Sequence, residues 1–88
     1  MDKGLWGYIK YKINGFTGIT PKMTVYNDKV VYVFYPYELS IMDDGQYYVF
    51  YLYNDETERT HEWEIDKLQS PNDLYDDVDD FFDALYFR

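Results

Sequence analysis

Residues 70–85, with the sequence SPNDLYDDVDDFFDAL, decide how this chain is organised. Apolar side chains recur there every three to four residues, which places them along one side of an α-helix. They are Leu74, Val78, Phe81, Phe82 and Leu85. Ser70 fits the N-cap position and Pro71 the first helical position, so we expect the helix to begin here. An amphipathic helix needs an apolar partner, and the preceding residues must supply the surface that it covers.

The preceding residues alternate with a period of two, which is typical of β-strands. The runs 22–26 and 29–37 flank Asn27-Asp28, a dipeptide that favours a tight hairpin. Part of the second run, VVYVFY, is apolar on both sides. We therefore expect it to be a central strand covered on both faces and ended by Pro36, which cannot donate a ladder hydrogen bond.

Three further alternating or aromatic runs are predicted to be strands, at 6–13, 47–53 and 59–65. Asn14-Gly15 is expected to end the first of them in a turn, followed by an irregular connection over 16–21. Short polar turns separate the others. The sequence thus predicts a single α+β domain over residues 1–88: an antiparallel sheet of four to five strands (a meander) with one C-terminal amphipathic acidic helix packed on it.

The composition favours a folded domain that needs no covalent cross-link. Of the 88 residues, 47 % are hydrophobic and 23 % are aromatic, with twelve tyrosines, which is unlike a disordered chain. The chain has no cysteine, so disulfides, thiolate nucleophiles and cysteine-based zinc sites are excluded. Neither a signal peptide nor an apolar run of about 18 residues is visible, and we expect a soluble cytoplasmic protein.

The net charge of −9 is unevenly distributed along the chain. Residues 1–37 contain five lysines and two aspartates, a balance of +3, whereas residues 38–88 contain fifteen acids and three bases, a balance of −12. Direct binding to nucleic acid or to an anionic membrane is disfavoured, because both depend on clustered Lys and Arg. A basic protein is the complementary partner.

The polar side of the predicted helix carries six aspartates within eleven residues. They are Asp73, Asp76, Asp77, Asp79, Asp80 and Asp83. Asp is a mediocre helix former, and like-charge pairs four residues apart each cost roughly 0.2–0.5 kcal/mol. Acids that recur about once per turn, near 5.4 Å, form a row similar in spacing to the phosphates of a nucleic-acid strand. We therefore expect these aspartates to bind a partner rather than to stabilise the helix.

The predicted partner-binding surface also includes residues outside the helix. They are Tyr53, Glu56, Glu58, Glu62 and Glu64. The glutamates would extend the acidic row or form a second one, and an exposed tyrosine beside acids suits a site that grips arginine side chains. The acidic helix has two other interpretations: a surface that is only solvated, and a Ca²⁺ or Mg²⁺ site, although no Asp-x-Asp-x-Asp-Gly loop is present.

Residues that commonly perform catalysis are sparse. His61 is the only histidine, and alternation along its strand places it on the face opposite to Glu62 and Glu64. Ser70 is explained as a helix cap, and the five glycines are too scattered to form a phosphate-binding loop. We therefore expect a protein that is not an enzyme and that has no cofactor and no metal site.

In size and composition the chain resembles the small acidic proteins by which phages and mobile elements block bacterial nucleic-acid enzymes. These include anti-CRISPR proteins, restriction inhibitors and uracil-DNA glycosylase inhibitors. Together with the row of aspartates, the resemblance implies a DNA-mimic inhibitor that occludes the basic nucleic-acid channel of a nuclease or other DNA enzyme in a host bacterium. Two alternatives stay open: an immunity protein or antitoxin that neutralises a basic toxin nuclease, and a small structural protein that forms a homo-oligomer through its tyrosine-rich sheet.

Overall fold

The computed structural model describes residues 3–86, with side chains through residue 85. Within that range the chain forms two helices and five strands. In chain order they are α1 (Lys3–Thr17), β1 (Lys22–Val25), β2 (Lys29–Phe34), β3 (Tyr37–Asp43), β4 (Tyr47–Asn54), β5 (Arg59–Asp66) and α2 (Pro71–Tyr86). The predicted ends of the domain, residues 1 and 88, lie outside the described residues.

The five strands form one antiparallel sheet in the order β1-β2-β3-β4-β5. Each strand pairs with the next one along the chain, so the sheet is a meander and the predicted α+β class is confirmed. Helix α2 packs on the sheet as predicted, and the ring centroid of Phe81 lies 4.9 Å from that of Phe50 in β4. Helix α1 is attached by the Tyr32 hydroxyl of β2, which donates a 2.7 Å hydrogen bond to the Trp6 carbonyl.

The core lies between the two helices and one face of the sheet. Every second residue of β2 points into it: Val30 and Tyr32 are fully buried, whereas Val33, on the opposite face, is 47 % exposed. In the strand register, Tyr32 and Phe50 lie on the same face of the sheet. Helix α1 bonds to Tyr32 and helix α2 packs on Phe50, so both helices cover that face. The prediction that residues 30–35 are covered on both faces is therefore wrong, because both described helices lie on one side of the sheet.

Residues 6–13 form part of a helix, so the strand predicted there is wrong. Helix α1 buries Leu5, Ile9 and Ile13, whose spacing of four residues is helical. Tyr11, which strand alternation placed on the same side as Ile9, is 70 % exposed. A short run in which apolar and charged residues alternate fits either period, and burial of the four-residue repeat against the sheet decides in favour of the helix.

Helix α1 also continues through Asn14-Gly15, which was predicted to be a turn. It ends at Thr17, so the connection predicted over 16–21 is shorter than expected. Gly18 has a φ of 72°, and its N–H donates a 2.8 Å hydrogen bond to the Asn14 carbonyl. This is the geometry of a left-handed C-cap, and Gly18 rather than Gly15 is the residue that stops the helix.

Strand β3 takes the place of the strand that was predicted at 6–13, so the sheet still has five strands. Residues 37–43 were missed because residue 37 was included in the run 29–37. Their alternation nevertheless has a period of two, since Leu39 and Ile41 are fully buried and their neighbours are not. The other four strands agree with the prediction to within three residues at each end.

Gly7→Ala and Gly15→Ala are each expected to raise the free energy of unfolding by about 0.5–1 kcal/mol. Both glycines lie inside α1, and a Cβ atom added at either position would meet no atom within 4 Å. Alanine therefore reduces the conformational entropy of the unfolded chain without introducing a clash. Urea denaturation measures the change.

Gly18→Ala is the matched control, because its φ of 72° is unfavourable for a residue with a side chain. We expect it to lower the free energy of unfolding by about 1 kcal/mol. Similar effects of all three substitutions would contradict a single helix that continues through Gly15 and ends before Gly18.

Candidate functional site

The six aspartates of α2 differ in their position around the helix. Leu74, Val78 and Phe81 define the buried side. Four aspartates lie on the opposite side and are exposed to solvent. They form what we call the α2 acidic face: Asp73, Asp76, Asp80 and Asp83. Asp77 and Asp79 lie at the two flanks of the helix and are half-buried.

Asp79 joins α2 to α1. Its carboxylate accepts a hydrogen bond from the Tyr8 hydroxyl and lies 3.2 Å from Lys12 Nζ. Tyr8 and Lys12 are one turn apart on α1, so this contact holds the two helices side by side. The hydrogen bond to Asp79, followed by burial and by the charge of Asp79, raises the pKa of Tyr8 to about 12. Asp79 therefore has a role in stabilising the fold.

Asp77 and Asp73 have local roles at the start of α2. The Gln69 side chain donates a 2.7 Å hydrogen bond from Nε2 to Asp77 Oδ2, which ties the helix to the preceding connection. The Asp73 N–H donates to Ser70 Oγ at 3.3 Å, so Ser70 is the N-cap that the sequence predicted. Asp73 also lies in the first turn, where the helix dipole favours an acid.

Asp76, Asp80 and Asp83 have no such role. Among the side chains of residues 3–85, no ion pair or hydrogen bond involves their carboxylates. Asp76 and Asp80 are four residues apart and repel each other, and Asp83 is near the C-terminal end, where the helix dipole disfavours an acid. Neither helix formation nor packing accounts for these three residues.

The predicted glutamates of β5 lie on a different surface. Glu62 and Glu64 alternate along the strand with Trp63, whose ring centroid is 5.8 Å from that of Phe81 in α2. Since successive side chains of a strand point to opposite faces, both glutamates lie on the face of the sheet that neither helix covers.

Tyr53 and two further glutamates complete the predicted set. Tyr53 is opposite Thr60 in the register and shares the uncovered sheet face with Glu62. Glu56 and Glu58 lie in the exposed turn between β4 and β5. The structure therefore groups four of the predicted aspartates on α2, and it does not bring Tyr53 or the β5 glutamates to them.

The hydroxyls of two tyrosines lie beside carboxylates: that of Tyr51, on the uncovered face of the sheet, and that of Tyr35, in the turn after β2. Burial and then the charge of Glu62, its partner in the β4–β5 register, raise the pKa of Tyr51. The charge of Glu56 and then burial raise the pKa of Tyr35. In each pair the tyrosine hydroxyl lies beside the carboxylate, so a partner would meet both groups together and not the carboxylate alone.

The exposed tyrosines are not those that the sequence suggested. Tyr53 was expected to be exposed and is half-buried, as are Tyr8 and Tyr37. Tyr11, Tyr26 and Tyr35 are exposed instead, at 70 %, 50 % and 66 %. The strand interpretation of α1 misplaced Tyr11, whereas Tyr35 follows the last residue of β2.

No group of three or more His, Asp or Glu side chains within the described residues is arranged to hold a metal ion. Neither α1 nor α2 is long and apolar enough to cross a membrane. Comparison of the chain with protein-family models, curated proteins and solved structures finds no match. The function therefore has to be inferred from the surfaces of this chain itself.

Asp79→Asn and Asp80→Asn are expected to change stability in opposite directions, although each removes one negative charge. Asp79→Asn loses the ion pair with Lys12 and weakens the hydrogen bond from Tyr8. It should lower the free energy of unfolding by about 1 kcal/mol, allowing for solvent screening at this partly exposed site. Asp80→Asn relieves repulsion with Asp76 and should raise the free energy of unfolding by about 0.2–0.5 kcal/mol.

Urea denaturation of the two variants, at one ionic strength, gives both values. If the two substitutions changed the free energy of unfolding by the same amount and with the same sign, the distinction between Asp79 and the α2 acidic face would be wrong.

Proposed function

We propose that this protein is an acidic inhibitor that binds a basic, nucleic-acid-binding enzyme through the α2 acidic face, which takes the place of nucleic acid. One observation carries the proposal: four exposed aspartates share one side of a helix over about 15 Å. Three of them contact no other described side chain in a way that would stabilise the fold.

A row of short carboxylates on a rigid helix is complementary to a channel that is lined with Lys and Arg for phosphate binding. Helix α2 is held in place on two sides. Phe81 packs between Phe50 and Trp63 of the sheet, and Asp79 bonds to α1. Because the helix is already ordered, little conformational entropy is lost when a partner binds.

Inhibition would be competitive, since the α2 acidic face would block the channel sterically and electrostatically. The charge of −12 on residues 38–88 would attract a basic partner and speed encounter by about 10–10³-fold at low salt. In size and acidity the protein is similar to phage and mobile-element inhibitors of the anti-CRISPR and anti-restriction kind. An inhibitor of this type acts in the cytoplasm of a bacterial host.

The triple substitution Asp76→Asn, Asp80→Asn and Asp83→Asn is expected to abolish capture of such an enzyme. Immobilised wild-type protein is incubated with bacterial lysate, and the bound proteins are identified by mass spectrometry. Added duplex DNA or high salt should release the enzyme, because both compete for the same basic groups. Asp77 is left unchanged in this variant because it accepts a hydrogen bond from Gln69.

The matched control carries Asp28→Asn, Glu38→Gln and Asp55→Asn, which remove the same charge at exposed positions outside α2. It should capture the enzyme as the wild type does. The proposal is wrong if the α2 triple variant also captures it, or if DNA and salt have no effect. If Tyr53→Ala abolishes capture and the α2 triple variant does not, an immunity protein or antitoxin held by aromatic contacts is the better description.

A second candidate function, assembly of identical copies, is favoured by the uncovered face of the sheet. Val33 and Met42 are exposed there. Lys22 lies at one edge of this face in β1, and Glu62 and Glu64 lie at the other edge in β5. A two-fold axis along β3 would place β1 of one copy over β5 of the other, so that opposite charges would meet and apolar side chains would be buried.

Val33→Glu is expected to abolish such self-association. The wild-type mass, measured by sedimentation equilibrium, should rise from monomer towards dimer with concentration, whereas the variant should stay monomeric because the new charge would be buried in the interface. Tyr11→Glu adds the same charge to α1, away from this face, and should behave as the wild type. A wild-type protein that is monomeric up to about 1 mM would contradict assembly through the sheet.

A further inference from the structure

A cavity of about 680 Å³ opens at the end of the domain where both helices end near the sheet. Its walls come from the last turns of α1 and α2, from β2, β3 and β4, and from the first residues of β5. The volume lies within the range of small-molecule sites, about 300–1,000 Å³. Phe82 and Leu85, which line the cavity from α2, are on the side of the helix opposite to the α2 acidic face.

The cavity exists because the helices do not cover the start of β5. Ile65 is buried beneath the helix layer, and Trp63 contacts Phe81. Arg59 and His61 point to the same side of the strand, yet both are exposed, because α2 does not extend over them. Both side chains therefore line the cavity.

The lining combines an apolar interior with a polar side formed by β5. Leu39, Leu52 and Phe82 contribute buried apolar side chains. Arg59 contributes guanidinium donors on the polar side. None of the described residues that line the cavity is acidic, although the chain has seventeen Asp and Glu residues. A negatively charged group inside the cavity would thus meet no carboxylate from these lining residues.

The fold does not use Arg59 in an ion pair with any described carboxylate. Of the other two bases in residues 38–88, Lys67 is bound to Asp43 at 2.6 Å, and Arg88 lies outside the described residues. A guanidinium beside an apolar cavity suits a carboxylate, which it can bind through two parallel hydrogen bonds.

We propose that this cavity binds a small amphipathic anion, such as a medium-chain acyl carboxylate, with its carboxylate at Arg59. The helix dipoles set this orientation. Helices α1 and α2 both end at the cavity, and the negative ends of their dipoles disfavour a carboxylate beside them. The charged group therefore lies at β5, and the apolar chain lies towards the helix ends. This inference does not depend on the function of the α2 acidic face.

Decanoate, dissolved below its micelle concentration, tests the proposal on the wild-type protein. Titration followed by NMR should give a dissociation constant in the micromolar range, and 1-decanol, which has no charge, should bind about tenfold more weakly. Arg59→Gln should weaken decanoate binding about tenfold and leave 1-decanol binding unchanged. The control variant Lys22→Gln makes the same change of charge on an exposed residue of β1. It should alter neither the affinity for decanoate nor the affinity for 1-decanol.

The same titration locates the ligand. Decanoate should shift the methyl signals of Leu39 and Leu52, which line the cavity, and leave those of Val30, which is buried elsewhere in the core. Equal affinity for decanoate and 1-decanol, unchanged affinity in the Arg59→Gln variant, or shifts confined to other methyl groups would each overturn the proposal. Binding to phosphatidylglycerol vesicles without binding of dissolved decanoate would overturn it as well, because the ligand would then be a membrane surface.

Discussion

The structure depends on the burial of one face of an antiparallel meander, because a sheet with a single apolar face is not stable in water unless something covers it. Phe81 is central to that cover. Its ring centroid lies 4.9 Å from that of Phe50, 5.8 Å from that of Trp63 and 5.3 Å from that of Phe82. The contacts with Phe50 and Trp63, which belong to the sheet, fix the rotation of α2 about its own axis. The aspartates on the other side of the helix must then lie in solvent, so the acidic surface follows from the way the core is packed.

Most elements with an unambiguous period could be predicted from the sequence, and the error at residues 6–13 falls where the period is ambiguous. The apolar side chains along one side of α2 extend over three turns of helix, and their spacing does not fit a β-strand. Residues 6–13 are shorter and alternate, and only the burial of Leu5, Ile9 and Ile13 shows that the four-residue repeat is the relevant one. Strand β3 was missed for a different reason: its residues alternate with a period of two, but residue 37 was included in the run 29–37.

The candidate site was predictable in part. The position of Asp76 and Asp80 on the exposed side of the helix follows from the spacing of the apolar residues. The structural role of Asp79 does not, because its partner Tyr8 lies 71 residues away, on a segment whose helical form was not predicted. The cavity beside Arg59 was equally hidden. It is formed by the ends of elements that are distant in sequence, and its size depends on where each helix ends.

An acidic surface and an anion-binding cavity are compatible in one small domain because dissolved salt limits the distance over which the charges of each one act. At physiological ionic strength the screening length is about 8 Å, whereas the domain extends over 34 × 26 × 21 Å. The α2 acidic face points away from the sheet, and the cavity lies on the sheet side of the same helix. A carboxylate beside Arg59 therefore interacts mainly with the groups that line the cavity. The net charge of −9 determines which molecules approach the protein, and the local arrangement of charges determines where they bind.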